Sequence, residues 1–244
     1  MERMKKYELT EETSEVAGLT LHRIKAVAAL NNISAGELGG FIEKEENLSQ
    51  YGNAWVYGNA KVYGDAKVCG NAKVCGDAKV YGDAEVCGDA KVYGNAWVYG
   101  NAKVCGNAKV CGDAKVYGNA EVCGNAEVYG NAEVYGNAEV YGNAKVCGDA
   151  KVYGDAEVCG NAEIRGDGHL ITIGAIGSRN SYTTFFRDKS GGISVKCGCF
   201  CGNIDEFLEK VSDTHRDNHH AKTYRAAAEL ARIHIGPEES GGEL

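Results

Sequence analysis

The residues best suited to chemistry in this chain are thiols and imidazoles near its C-terminal end. Cys197, Cys199 and Cys201 alternate in the segment CGCFC, and His215 and His219 stand one helical turn apart downstream. Thiolates and imidazoles are ligands of zinc, and alternation along one strand would turn all three thiols to the same face. The C-x2-C spacing typical of zinc sites is absent. The segment therefore indicates small, partly buried thiols, with a structural zinc site as the alternative.

Thiols also recur at a fixed interval in the middle of the chain. Cys69, Cys87, Cys105 and Cys123 follow one another every 18 residues, and we call this set the cysteine ladder. If these residues stack at the spacing of neighbouring strands, their thiols are close enough for disulfides or for capture of a soft metal. Reduced, packed thiols are the simpler interpretation, and the alternatives stay open.

Tyrosines recur with the same interval. A flat aromatic stripe of this length is typical of a contact surface for a partner or a sister chain, but stacked rings can also serve only to stabilise the fold. Both interpretations stay open. The predicted partner-binding residues, which we call the tyrosine ladder, are Tyr63, Tyr81, Tyr99, Tyr117, Tyr135 and Tyr153.

Charge is distributed unevenly along the same region. In residues 51–117 eight Lys oppose one Glu and five Asp, whereas in residues 118–164 two Lys oppose six Glu and two Asp. The acidic surface is either simply solvated or docks a basic partner, with imitation of nucleic acid as one form of this. The net charge of −8 argues against nucleic acid itself as a partner. The six glutamates are Glu121, Glu127, Glu133, Glu139, Glu157 and Glu163.

Catalytic residue types are scarce in this region. Residues 51–164 contain no His, and His169, just beyond them, is the only nearby candidate for a catalytic base. We therefore predict no catalytic residues, no cofactor and no enzymatic activity.

The two ladders are positioned by a six-residue repeat that occupies residues 51–164 without an insertion. Its nineteen hexads read Tyr or Cys, Gly, Asn or Asp, Ala, a charged residue or Trp, and Val, with Ile closing the last. Side chains alternate along a strand, so Ala and Val point inward while the charged residue and Tyr or Cys point outward. Gly with Asn or Asp falls at the bends, where a left-handed backbone conformation is tolerated.

Three hexads are predicted to make one coil. Sorting the first hexad position by every third hexad isolates the tyrosine ladder, whereas sorting by every second hexad yields no order. Residues stacked along a solenoid axis share an environment, so we expect a three-sided, mainly β solenoid of about six coils, roughly 30 Å long. A further column alternates strictly and indicates a duplicated unit of 36 residues: Tyr57, Cys75, Tyr93, Cys111, Tyr129 and Cys147.

The hexad resembles the left-handed parallel β-helix of the hexapeptide-repeat acyltransferases. Those proteins place an aliphatic residue inward and a small residue two positions before it, as Val56 and Ala54 stand here. The resemblance implies the same fold for the nineteen hexads and suggests homotrimers, although a prism faced with tyrosines can also form dimers. The enzymes use a His and an extruded loop, and both are absent from the hexads. An acyltransferase-like enzyme is therefore the disfavoured alternative.

The flanks resemble a different group of proteins. ELGGFIEKEENLSQYGNAWVYGNA, residues 37–60, and IGSRNSYTTFFRDKSGGISVKCGCFCGNIDEFLEKVSDTH, residues 176–215, resemble hexapeptide-repeat or polymer-forming-like proteins encoded by phages and prophages. This resemblance implies a bacterial host as the setting and no particular mechanism.

The chain is predicted to contain four regions. Residues 1–50 form an N-terminal cap, because the first coil of a solenoid exposes unpaired backbone. Residues 51–168 form the solenoid, residues 169–235 a small C-terminal α+β module, and residues 236–244 a disordered tail. Strands are expected at residues 7–10, 19–29, 170–176, 182–187 and 193–200, and helices from Asn203 or Asp205 to Thr214 and from His220 to His234.

The setting predicted from the sequence is a cytoplasm. The N-terminus is charged from its second residue and lacks an apolar signal segment, and no run approaches 18 apolar residues, so we expect no membrane partner. The 11 Cys are then expected to be reduced. The predicted function is a non-enzymatic scaffold that binds a host or phage protein or assembles with copies of itself. The alternative is an inhibitor of an anti-phage defence protein, acting through the acidic surface.

Overall fold

The computed structural model describes residues 5–30 and 32–236. Its central part is a β-solenoid of about seven parallel coils, in which a two-residue strand begins every six residues. These strands lie in three parallel sheets, which we name by the residues that follow them. The tyrosine face contains Lys61–Val62, Lys79–Val80, Trp97–Val98, Lys115–Val116, Glu133–Val134 and Lys151–Val152. The cysteine face contains Lys67–Val68, Glu85–Val86, Lys103–Val104, Glu121–Val122, Glu139–Val140 and Glu157–Val158. The alternating face contains Trp55–Val56, Lys73–Val74, Lys91–Val92, Lys109–Val110, Glu127–Val128, Lys145–Val146 and Glu163–Ile164.

Alanine and valine fill the interior of the solenoid. The repeat's alanines and valines are at most 2% exposed, so the inward direction predicted for them is confirmed. Val98 pairs in register with Val80 and Val116, each 18 residues away, which confirms three hexads per coil. Because like residues stack on like, every inner coil buries the same surface, and stability accumulates from coil to coil.

The corners of the coils require glycine for two reasons. Gly100 has a φ of +71°, in the left-handed region that residues with a Cβ rarely adopt. A Cβ at this position would also lie 3.0 Å from the backbone N of Gly118 in the next coil. The residue after the glycine links the coils, since Asn101 Nδ2 donates to Asn119 Oδ1 at 3.0 Å. The corners are therefore stacked as tightly as the strands.

The N-terminal segment extends the tyrosine face beyond the first coil. Strands Tyr7–Val16 and Leu19–Ala26 form an antiparallel hairpin, and Leu38–Ile42 pairs antiparallel with the latter and parallel with Lys61–Val62. A short 3-10 helix, Glu45–Asn47, follows. Trp55 is fully buried, and its ring lies 6.2 Å from the Tyr7 ring in an edge-to-face contact. The segment thus pairs backbone that the first coil would otherwise expose.

The C-terminal module is an antiparallel sheet with two helices. Its strands are Leu170–Ile176, Ser181–Arg187, Ile193–Cys197 and Phe200–Asn203, preceded by a 3-10 helix, Asp167–His169, and followed by helices α1 (Ile204–His215) and α2 (His219–Ile235). Asn203 caps α1 by accepting the amide N–H of Glu206 at 2.9 Å. The single strand predicted for residues 193–200 is wrong. Gly198, with a φ of +56°, turns the chain, and CGCFC is divided between two paired strands.

The module packs against the last coil of the solenoid. Phe186 is fully buried in the solenoid core, and the amide N–H of Lys189 donates to the carbonyl of Asn161 at 3.0 Å. A disulfide joins Cys159 of the last coil to Cys201 of the module. The expectation that all cysteines are reduced is therefore wrong for this pair, while the other nine, all within the described residues, are free thiols. The predicted disordered tail lies outside the described residues apart from Gly236.

Candidate functional site

The tyrosine ladder is a continuous stack of rings on the outside of the tyrosine face. Successive rings from Tyr63 to Tyr135 lie 4.9 Å apart between centroids, with planes within 3° of parallel. The ring centroids of Tyr135 and Tyr153 lie 5.3 Å apart, and their planes are 12° from parallel. Tyr153 is 54% exposed and the other members are half-buried. Each stacked pair contributes roughly 0.5–1.5 kcal/mol beyond burial, so the rings are held in place without any partner.

A row of cations flanks the tyrosine ladder. Each occupies the outward position two residues before a ladder tyrosine: Lys61, Lys79, Lys115 and Lys151. Trp97 and Glu133 occupy the two remaining positions. The Lys79 Nζ lies 4.7 Å from the Trp97 ring centroid, and Trp97 is 36% exposed. The tyrosine face therefore combines aromatic edges with positive charge.

Four phenols of the ladder, those of Tyr63, Tyr81, Tyr99 and Tyr117, have a raised pKa and are expected to lose their protons late. Burial raises the pKa of Tyr81 to about 12, with smaller contributions from Tyr63 and Tyr99. Burial also raises the pKa of Tyr99 and, together with a hydrogen bond to Glu133, that of Tyr117. A folded-state pKa above the unfolded value of 10.0 gives stability that is complete below pH 10 and is lost as the pH rises through 12. The free energy of unfolding should therefore fall between these two pH values.

Phenolate absorbance measures this effect directly. We expect the folded chain to contain a group of phenols that ionises above the range seen for the same chain in urea, and Tyr81→Phe should remove one phenol from that late group. Coincident titrations of the folded and unfolded chain would contradict the prediction.

The cysteine ladder brings thiols and a carboxylate together near its first end. The Sγ atoms of Cys69 and Cys87 and a carboxylate oxygen of Glu85 all lie within 4.8 Å of one another, and we call these residues the first triad. The pKa of each of the two thiols is raised, mainly by burial. Sequence reasoning identified the two cysteines and missed Glu85, although its outward position two residues before Cys87 was a usable signal.

The same arrangement recurs 36 residues later. Cys105, Glu121 and Cys123 form the second triad, in which the ligand atoms again lie within 4.8 Å and the Cys105 Sγ is 3.8 Å from Glu121 Oε1. Burial, followed by the neighbouring Cys123, raises the pKa of Cys105 to about 12. At neutral pH these thiols are therefore protonated and unreactive unless a cation displaces their protons.

The six glutamates predicted as an acidic surface are divided among all three faces. Glu121, Glu139 and Glu157 are in-register neighbours on the cysteine face, Glu133 lies on the tyrosine face, and Glu127 and Glu163 lie on the alternating face. A Lys or Arg nitrogen lies within 3.3 Å of a carboxylate oxygen in four of them: Glu127, Glu133, Glu157 and Glu163. Burial, then Glu157 and Glu121, raises the pKa of Glu139. Among the strands of the solenoid, a run of adjacent carboxylates exists only on the cysteine face.

The thiols proposed as zinc ligands in the C-terminal module are not brought together. Cys201 is bonded to Cys159, so it has no thiol to offer. Cys199 is exposed, and its Sγ lies 3.9 Å from Nη1 of Arg179, whose guanidinium lowers the pKa of Cys199. Cys197 ends the preceding strand and is half-buried. These three residues therefore have three different environments, because the hairpin breaks the predicted alternation.

The histidines near the module have local partners. The rings of His215 and His219 lie 5.6 Å and 3.9 Å from the His220 ring between centroids. No cluster of three or more ligand atoms includes them within residues 5–30 and 32–236. His169 was the nearby candidate for a catalytic base. Its Nδ1 accepts a hydrogen bond from the backbone N–H of Arg165 at 3.3 Å, so this nitrogen already has a partner.

The chain matches no protein-family model, and it has no significant match to any curated protein. Within the described residues, neither helix has the length and apolar character needed to cross a membrane.

Proposed function

We propose that this protein is a non-enzymatic β-solenoid whose tyrosine face binds another protein. The tyrosine ladder is the observation that carries the proposal. Its rings stack face to face, so they present their edges rather than their faces along about five strand spacings of ~4.8 Å. Tyrosine is enriched at protein interfaces because it pairs apolar area with a hydrogen-bonding group.

Rigidity favours the ladder as a binding surface. A side chain that loses rotamer freedom on binding costs roughly 0.5–1.5 kcal/mol, and stacked rings have lost that freedom already. Tyr81, for example, has a parallel neighbour 4.9 Å away on either side and the Trp97 ring at 6.4 Å. The face therefore offers preformed aromatic edges for contact.

Charge favours a different protein over a second copy of this chain. Four lysines and one glutamate flank the ladder, so two tyrosine faces brought together would place lysine against lysine. A partner with acidic residues around an apolar strip complements this pattern. Self-assembly through this face is the less favoured form of the same function.

Tyr99→Lys is the variant that tests the proposal. It inserts a charge into the middle of the ladder, and we expect it to weaken any specific association of the purified chain by at least about tenfold. Tyr93→Lys is the matched control, because Tyr93 has the same Val before it and the same Gly-Asn after it but lies on the alternating face.

The measurements are light scattering after size exclusion for self-association and capture from a bacterial lysate for other partners. Association that the Tyr99 variant loses and the Tyr93 variant keeps supports the proposal. No association at all, or equal loss in both variants, contradicts it.

A second candidate function uses the cysteine face. The flanks' resemblance to phage-encoded proteins and the adjacent Glu121, Glu139 and Glu157 together favour an inhibitor that docks a basic defence protein of the host. We rank it second because Lys196 Nζ lies 3.3 Å from Glu157 and shortens the unpaired acidic run. Capture that is lost in Glu139→Lys and retained in Tyr99→Lys would favour this function over the first.

A further inference from the structure

We propose that the cysteine face binds two soft or borderline divalent cations of the zinc and cadmium class, one in each triad. The proposal rests on the placement of two thiols and one carboxylate within 4.8 Å of one another, found twice in the described residues. It does not depend on the tyrosine face.

The ligand set suits such a cation. Cysteine sulfur and carboxylate oxygen both bind zinc, and thiolates select soft metals over calcium or magnesium. With Zn–S near 2.3 Å, two thiolates of a tetrahedral site lie roughly 3.8 Å apart, so the triads need only small side-chain adjustments. Three protein ligands leave the fourth position open. Because the triads are half-buried, water or an external ligand can reach that position.

The column of charged residues beside the cysteine ladder divides it into two sites. The thiols alone are evenly spaced, but the residue two positions before each thiol alternates: Lys67, Glu85, Lys103 and Glu121. Only the two glutamates add a carboxylate, so only the thiol pairs that they flank gain a third ligand. Lys103 pairs in register between Glu85 and Glu121 and separates the two sites.

The lysines also offset the net negative charge of a triad that holds a divalent cation. Two thiolates and a carboxylate carry three negative charges against two on the cation. Lys103 lies one strand from the carboxylate of either triad, and Lys67 acts electrostatically on Cys69. A cation-bound triad is thus offset by a neighbouring positive charge, which favours ligands in their deprotonated form.

On the alternating face, cysteines of the repeat do not stack on other cysteines. Cys75 and Cys111 occupy the same hexad position as the ladder cysteines, but tyrosines occupy that position in the neighbouring coils. Neither residue belongs to a cluster of three ligand atoms in the described chain. These two cysteines therefore provide a control for nonspecific metal binding by half-buried thiols.

Cadmium alone is the probe that tests the proposal. The full chain, purified without a reductant so that the Cys159–Cys201 disulfide stays closed, is stripped with a chelator and titrated with cadmium without oxygen. Thiolate-to-cadmium charge transfer in the near ultraviolet counts bound thiolates, and equilibrium dialysis counts bound metal. We expect two equivalents bound in the intact chain, one for each triad.

Serine variants assign the bound metal to the triads. Cys69→Ser with Cys87→Ser should remove one equivalent and leave the second triad filled, which also shows that the variant is folded. Adding Cys105→Ser and Cys123→Ser should remove the other. A further variant, Cys75→Ser with Cys111→Ser, should keep both.

The carboxylate is tested separately. Glu121→Gln should weaken cadmium binding at the second triad by at least about tenfold, because second-sphere changes alone cost 10- to 100-fold in affinity, while thiolate charge transfer persists at saturation. Cadmium uptake that is the same in the intact chain and in the variant lacking all four ladder cysteines overturns the proposal. Loss of uptake in the Cys75 and Cys111 variant overturns it as well.

Discussion

Gly136→Ala is expected to lower the free energy of unfolding by about 3 kcal/mol or more, because it combines a strained backbone conformation with overpacking between coils. Gly136 has a φ of +75°, and a Cβ there would lie 2.9 Å from the backbone N and 3.1 Å from the backbone O of Gly154 in the next coil. Both atoms belong to stacked backbone, which cannot move aside without breaking the strand spacing on either side. Urea unfolding followed by circular dichroism measures the loss.

Gly154→Ala is the matched control. Gly154 lies on the same corner one coil further, with a φ of +67°, but no atom lies within 4 Å of its virtual Cβ. Alanine at this position should lower the free energy of unfolding by about 1–2 kcal/mol, which is the cost of the left-handed backbone conformation alone. The difference between the two variants isolates the steric cost of stacking. Equal losses would mean that backbone conformation alone requires glycine at the corners.

Trp55→Ala is expected to cost about 3–5 kcal/mol, as for other large aromatic residues removed from a core. Trp55 occupies an outward position of the first coil but is fully buried against the N-terminal segment, where it contacts the Tyr7 ring, so its loss leaves a cavity between that segment and the first coils. Trp97→Ala should cost only about 1 kcal/mol, because Trp97 is 36% exposed and loses mainly its contacts with Lys79 and Tyr81.

Tryptophan fluorescence separates the two cases. Each alanine variant keeps one indole, so quenching by acrylamide should be weak in the Trp97 variant and strong in the Trp55 variant. Trp55→Phe should be milder than Trp55→Ala, because it preserves an aromatic contact with Tyr7 and removes a buried Nε1–H that has no hydrogen-bond partner. Equal unfolding free energies for the two alanine variants would contradict the burial difference.

The solenoid was predictable because its environment repeats with its sequence. In a coil of 18 residues, Val98 meets Val80 and Val116, so one hexad contains nearly all the information about its own contacts. The same repetition places the tyrosines of the ladder in one stacked column. The sequence limited the N-cap of α1 to Asn203 or Asp205, because capping depends on residues three positions apart, and the structure has Asn203 as the cap.

The candidate sites were only partly predictable. The 18-residue period predicted that the ladder thiols are neighbours. It did not predict Glu85 and Glu121 as third ligands, because this depends on the carboxylates approaching the cysteine of the preceding coil. The acidic surface was predicted from a count along the chain. Folding distributes those glutamates over three faces, since consecutive hexads turn through a corner each time.

The sequence by itself determined how the chain winds, which residues face inward and which columns stack, because each of these follows from a period of six residues and its triple. Only the tertiary structure decided that Cys201 bonds to Cys159 and that Trp55 is buried while Trp97 is not. These features depend on how the nonrepeating flanks meet the ends of the solenoid. Such contacts join residues far apart in the chain, and no local pattern encodes them.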